Sequence, residues 1–151
     1  MKIDTAIIMN PSAHDWEAGK KWPAMIQLLK KYGIAYRLIE TRPDAKTVQM
    51  AKEAAQKGYR RVVAVGGDGT INEVFNGIMK SGVRRRPKVA LVPFGTANDI
   101  SKSFKIRVED LDECIRTLVD GLDYPLDLGL VDGERYFADA FTIGYDASVL
   151  K

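Results

Sequence analysis

The chain has 151 residues, 46% of them apolar, and a formal charge of +3. That is room for one domain with its own core, or one domain and the start of another, and the charge is too mild to indicate a nucleic-acid surface. The single cysteine, Cys114, excludes an internal disulfide, and no stretch reaches the ~20 apolar residues of a membrane span, so the expectation is a cytoplasmic protein without a secretory leader.

Thr5–Met9 (TAIIM) reads as a buried strand that stops at the turn signal Asn10-Pro11. Trp22, Met25, Ile26 and Leu29 then share one helix face, which ends near Gly33. Residues 34–39 make a second strand. Asp44, after Pro43, is placed to cap a helix through Val48, Ala51 and Ala55 that closes at Gly58. A third strand (RVVAV, 61–65) precedes a helical stripe of Ile71, Val74, Phe75 and Ile78. A fourth strand covers 88–93. Leu111, Ile115, Leu118 and Val119 mark a last helix before Gly121, with Cys114 on its apolar side as a core residue.

A helix between each successive pair of strands predicts an α/β domain of three layers around a mostly parallel sheet, over residues 1–122. Beyond that point no helical stripe continues. Two strand-like runs flank Asp132-Gly133, so residues 123–151 read as a hairpin opening an incomplete, β-rich second domain. Leu126, Leu128, Phe137 and Phe141 would then pack on absent strands. Unpaired edges recruit partners, which leaves room for a homo-oligomer.

The third strand runs directly into Gly66-Gly67-Asp68-Gly69-Thr70, and a helix follows at once. Glycines let backbone N–H groups approach an anion closely, and the helix adds the positive end of its dipole. Asp68 is the informative residue. A bare carboxylate in a phosphate cradle repels the ligand unless a divalent cation lies between or it handles a proton. The competing reading is a tight turn with Asp68 solvated. Thr70 and Glu73 also spell T-x-x-E, a capping box that needs no ligand. The fourth strand enters a second turn, Gly95-Thr96-Ala97-Asn98-Asp99, where Asn98 or Asp99 can cap a short helix. Asn10-Pro11-Ser12 and Thr41 fall after the first and second strands, on the same sheet edge. The patterns G-x-x-x-x-G-K-[ST] and G-x-G-x-x-G after a strand are absent. With His14 the one histidine, zinc-protease and Ser-His-Asp chemistries are disfavoured. Arg84-Arg85-Arg86 falls at the opposite end of the sheet and reads as a solvated loop.

The run from Gly66 to Val74 (GGDGTINEV) resembles the signature of the diacylglycerol kinase catalytic domain, shared with sphingosine, ceramide and bacterial lipid kinases. Pro93-Phe94-Gly95-Thr96-Ala97-Asn98-Asp99 resembles that family's second block, and Asn10-Pro11-Ser12 its opening block. Asp127-Leu128-Gly129 and Gly144-Tyr145-Asp146-Ala147 are similar to the entry into its second domain.

The resemblance implies ATP held by Asn10, Pro11, Ser12, Thr41, Gly66, Gly67, Asp68, Gly69, Thr70, Asn72 and Thr96, with Glu73, Gly95, Asn98 and Asp99 in the same blocks. It implies magnesium, with Asp68 as catalytic residue and metal contact, and phosphoryl transfer to a lipid hydroxyl at a membrane surface, not to nucleic acid. The rest of the lipid site, further magnesium-associated residues and a general base belong to a domain beyond Lys151, so the chain by itself is expected to be inactive. The family usually has glycine where His14 stands and asparagine where Asp139 stands. An NAD kinase or sugar-phosphate kinase also uses Gly-Gly-Asp-Gly, but Asn72-Glu73 and the Pro93–Asp99 block favour the lipid class. A nucleotide-binding module without catalysis is the third reading.

Overall fold

The computed structural model describes residues 3–41, 46–107 and 109–138. Strands β1 (Thr5–Met9), β2 (Tyr36–Glu40), β3 (Arg61–Gly66) and β4 (Lys88–Pro93) form one sheet in the order β2-β1-β3-β4, parallel throughout. The helices are α1 (Ala13–Lys31), α2 (Thr47–Gln56), α3 (Asp68–Met79), the short α4 (Asp99–Ser103) and α5 (Leu111–Asp120).

Alternate residues of the central strands serve opposite layers. Ala6, Ile8, Val62 and Ala64 pack with Ala51 and Ala55 of α2 and with Ile71, Val74 and Ile78 of α3. Ile7, Met9, Val63 and Val65 pack with Met25 and Leu29 of α1 and with Cys114, Ile115 and Leu118 of α5. A strand buried on both faces has no polar side to show, which is why these segments read as continuous apolar runs. The α2 and α3 layers approach closely at Gly77, where an added Cβ would lie 2.2 Å from the Val48 carbonyl oxygen and 2.6 Å from Ala51 Cβ.

The expected elements shift in detail. β2 begins at Tyr36, because Gly33 (φ +65°) and Ile34 close α1 through bonds to the Lys30 and Leu29 carbonyls. Ile26 is exposed; the buried side of α1 is Ala18, Met25 and Leu29, with Trp22 partly covered. Val119 is likewise exposed, and Cys114 takes its place in the core. Burial pushes the Cys114 thiol up to about 11, so little of it is the nucleophilic thiolate at neutral pH. The start of α5 is tied to the end of α1: Lys31 Nζ donates to Asp112 Oδ1 (2.7 Å) and Tyr32 Oη to Asp112 Oδ2 (2.8 Å). These bonds hold the Asp112 carboxyl below its usual range.

After α5 the chain forms an antiparallel hairpin, β5 (Gly129–Val131) with β6 (Arg135–Phe137). Asp132 and Gly133 both take positive φ, and Glu134 N–H closes the turn on the Val131 carbonyl at 3.0 Å. The hairpin docks on α3. Asn76 Oδ1 accepts the Tyr136 N–H (2.9 Å) and Asn76 Nδ2 donates to the Tyr136 carbonyl (2.7 Å), so one side chain takes the place of a strand neighbour. Leu126, Leu128 and Ala138 pack on the core between the sheet and α2–α3. Leu126 and Leu128, expected to wait for absent strands, are thus partly buried against this chain's own core. Phe137 is partly buried, whereas Leu122 and Tyr124 stand 95% and 78% exposed. Asp44, Asp139, Phe141 and residues 144–147 lie outside the described residues.

The topology places the site. From β1 the chain moves outward through α1 to β2, then crosses back past β1 through α2 on the opposite face to reach β3. The direction of winding therefore reverses between β1 and β3. In an open α/β sheet, that reversal leaves a crevice at the carboxyl ends of the two strands. Arg84, Arg85 and Arg86 are exposed at the other end, ahead of Lys88, which pairs with the first residue of β3.

Candidate functional site

Between the carboxyl ends of β1 and β3 lies a cleft of about 360 Å³, open to solvent and lined by Asn10, Ala13, His14, Gly67, Gly69, Thr70 and Glu73. The loop after β1 is tied to β3 by Asn10 N–H, which donates to the Val65 carbonyl at 2.9 Å. Asn10 Oδ1 accepts from the backbone N–H (3.1 Å) and the hydroxyl (2.8 Å) of Ser12, a local turn that shapes the loop. Asn10 Nδ2 reaches Thr70 Oγ1 at 3.4 Å.

The turn after β3 is built by close approach. An added Cβ on Gly66 would fall 2.6 Å from Thr70 Oγ1, and one on Gly67 would fall 3.1 Å from Gly95 Cα. The two glycine turns thus touch backbone to backbone. α3 begins at Asp68 with Gly67 as its N-cap and no side-chain cap, so Thr70 stands inside the first turn, buried. The T-x-x-E capping box is therefore not what Thr70 and Glu73 do: Thr70 faces Asn10, and Glu73 is exposed at the cleft wall.

Asp68 also differs from expectation. Its Oδ2 accepts the Asp99 N–H at 3.1 Å and its Oδ1 the Ile100 N–H at 3.2 Å, so it caps α4 from 31 residues away in sequence. A carboxylate at a helix N-terminus is stabilised by the partial positive charge there. The charge of Asp68 is thus met by two backbone donors. Asn98, at φ +53°, closes the second turn instead of capping: its Oδ1 accepts the Gly95 N–H (2.7 Å) and its Nδ2 donates to the Gly95 carbonyl (2.6 Å).

The structure thus brings Asn10, Gly67, Gly69, Thr70 and Glu73 together on one cleft, with Pro11, Ser12, Gly66, Asp68, Gly95, Asn98 and Asp99 supporting them. Thr41, Asn72 and Thr96 are not among the lining residues. Thr41 is buried and its N–H donates to the Met9 carbonyl at 2.8 Å. Asn72 Oδ1 is buried without a partner among the described residues. Ala13 and His14 line the cleft although neither was among the candidate ligands; the signal was their place just after the Asn10-Pro11-Ser12 turn. No group of three or more metal-binding side chains occurs among the described residues.

Gly69 is the one glycine of the turn that nothing in the fold demands. Its φ is not positive, and a Cβ there would meet no atom within 4 Å. Glycine so early in a helix gives up propensity, about 1 kcal/mol relative to alanine in a helix interior. The space beside it is the cleft.

The sequence pattern of the diacylglycerol kinase catalytic domain matches residues 4–131. A relative named diacylglycerol kinase from Bacillus subtilis is 34% identical over 130 residues, covering 86% of this chain and 42% of the relative. A "Probable lipid kinase YegS-like" from Cronobacter sakazakii is 30% identical over 124 residues, covering 82% and 41%. Among solved structures, a diacylglycerol kinase from Bacillus anthracis superposes with a TM-score of 0.76 at 23% identity, over 89% of this chain and 45% of that one, a likeness of fold. The chain spans less than half the length of the curated relatives it matches.

Proposed function

The chain belongs to the diacylglycerol kinase catalytic domain family, and from that premise we propose that it is the nucleotide-binding part of an ATP- and magnesium-dependent lipid kinase. In this reading the phosphates of ATP lie in the cleft between the Asn10–His14 loop and the Gly66–Thr70 turn. The γ-phosphate passes to the hydroxyl of a diacylglycerol-like lipid at a membrane surface. The observation that carries the reading is Gly69. It is a glycine without a structural cause, at the amino end of α3 and on the wall of a cleft at the winding reversal of the sheet.

Phosphoryl transfer asks mostly for positioning and charge stabilisation. The backbone N–H groups at the start of α3 point to where an anion would rest. Asn10 and Thr70 hold the two loops at a fixed spacing, and Asp68 holds the second turn against the first. Magnesium binds through one or two carboxylates together with substrate phosphates. Asp68, with lone pairs left beside its two backbone bonds, and Glu73 on the cleft wall are the carboxylates that fit. Bound there, the ion would neutralise phosphate charge. The lipid acceptor, the general base and further metal contacts are assigned to residues beyond this chain, so the 151 residues alone should give no turnover. No helix among the described residues is long and apolar enough to cross a membrane, which fits contact with lipid from the surface.

The test is phosphate transfer from labelled ATP by the full-length gene product, offered lipid extract or NAD. Label in the lipid phase supports the reading. Label in NAD would replace it with the nucleotide-kinase alternative. ATP binding without transfer to either would leave a binding module.

A further inference from the structure

Three consecutive residues, the first of them on the cleft wall, hold left-handed backbone: His14 (φ 50°, ψ 64°), Asp15 (φ 52°, ψ 45°) and Trp16 (φ 69°, ψ 12°). None is glycine, and such geometry costs roughly 1–2 kcal/mol per residue. The other residues of α1, Pro23 included, keep helical φ and ψ, so the left-handed backbone is confined to the segment that turns His14 onto the cleft. Strain that a fold retains beside a site is a pointer to what the strained residue does there.

The charge of the lining says what that is. Of its seven residues, only His14 and Glu73 are ionisable, and Glu73 opposes an anion. The remaining charged groups nearby are already engaged or of the wrong sign. Asp68 of α3 is bonded to α4; Asp15 and Glu17 are acidic; Lys20 and Lys21 both pair with Glu17, and Lys21 lies over the Phe94 ring at 5.6 Å. His14 is exposed and therefore free to meet a ligand.

Building on the nucleotide reading above, we infer that His14 is a phosphate-contacting residue of this cleft, whose imidazole is the one lining side chain able to meet an anion with positive charge. A polyphosphate bound between α3 and the β1 loop meets backbone N–H groups on one side and the imidazole ring on the other.

The experiment measures binding of ATP, and of inorganic triphosphate without base or ribose, to the 151-residue chain without magnesium. The parent is set against His14→Asn, which tolerates left-handed backbone and carries no charge, and against His14→Lys, which places a positive charge at the same position. The parent should bind both ligands about fivefold more tightly than His14→Asn, as a charge-assisted contact in an open cleft allows. His14→Lys should bind both at least as tightly as the parent. Equal affinities of parent and His14→Asn, with ATP bound by both, overturn the role of His14 and leave the nucleotide site standing. A difference with ATP but none with triphosphate also overturns it, since the contact would then be to the nucleoside. If the folded parent binds neither ligand, this inference and the nucleotide reading fall together.

Discussion

The turn after β3 and the turn after β1 face each other across one cleft, yet they are made in opposite ways. The β3 turn is glycine-built and relaxed. Gly66 and Gly67 admit the Thr70 side chain and the Gly95 backbone, and Asp68 fastens the assembly to α4 with two hydrogen bonds. The β1 turn has no glycine until Gly19, and its chain passes through three left-handed residues. It is held by main-chain bonds from Ala13 to the Asn10 carbonyl (3.2 Å) and from Gly19 to the Pro11 carbonyl (3.2 Å). One wall of the cleft is shaped by its own packing. The other is kept in shape against its preferences, with Trp16 at 60% exposure beside it. Substitutions on the first wall should therefore lose stability and function together, whereas those on the second should separate them.

Asp68→Asn is the largest expected effect. Asparagine offers one oxygen where the carboxylate offered two, and its amide group would confront an N–H donor of α4. We expect the chain to lose about 1–3 kcal/mol in denaturant unfolding. Turnover of the full-length enzyme should fall at least ~100-fold, or about 2.7 kcal/mol of barrier. A folded variant that runs within threefold of the parent at equal stability would show that neither the clamp nor any metal contact at Asp68 matters.

Gly66→Ala comes next, at about 1–3 kcal/mol of destabilisation, because its Cβ would overlap the Thr70 side chain. The cause can be checked by a cycle: in the Thr70→Ala background, which removes the nearest contact, part of that cost should disappear. Full additivity in urea melts would place the cost elsewhere.

How much of this could be read in advance follows the range of the interactions. The strands and their order of helices were legible because burial on both faces writes itself into short segments such as TAIIM and RVVAV. The stripe of Ile71, Val74, Phe75 and Ile78 is buried as its spacing predicts. What misled was local reasoning about groups whose partners are distant. T-x-x-E at Thr70 looks like a capping box, but the N-cap lies three residues earlier, at Gly67, and the helix starts at Asp68. The charge of Asp68 looked uncompensated because its donors, Asp99 and Ile100, belong to another turn. Asn76 gave no sign that it would seat the hairpin sixty residues on. His14 departs from the glycine usual in the family, and its positive φ supplies the reason a glycine would be at ease there.

Gly69→Ala tests whether the relaxed wall is spare at the one place where packing does not use it. A Cβ there enters open space. The chain should be as stable as the parent, or more so by up to about 1 kcal/mol from helix propensity. ATP binding should weaken about tenfold, or ~1.4 kcal/mol, because a methyl group would stand where the phosphate approaches. Thermal unfolding and titration calorimetry on the same samples read both numbers. Unchanged ATP affinity in a stable variant would remove the main support for a phosphate at this turn.

The smallest effect is expected at the strained wall, and its signs are opposed. His14 sits at φ 50° and ψ 64°, a region that glycine enters without Cβ conflict. His14→Gly relieves that conflict in the folded state, but it also frees the unfolded chain, which loses more entropy on folding. The first term is roughly 1–2 kcal/mol and the second opposes it by about 0.5–1 kcal/mol, so the net should be a gain of about 0–1.5 kcal/mol. The same change deletes the imidazole from the cleft, and triphosphate affinity should fall while stability rises. No comparable division is available to Gly66, where packing and the shape of the site are the same contact. Urea unfolding of His14→Gly and triphosphate titration decide the matter. A variant that is less stable than the parent would mean that the histidine side chain itself holds the β1 turn, and the contrast between a packed wall and a strained one would then be wrong.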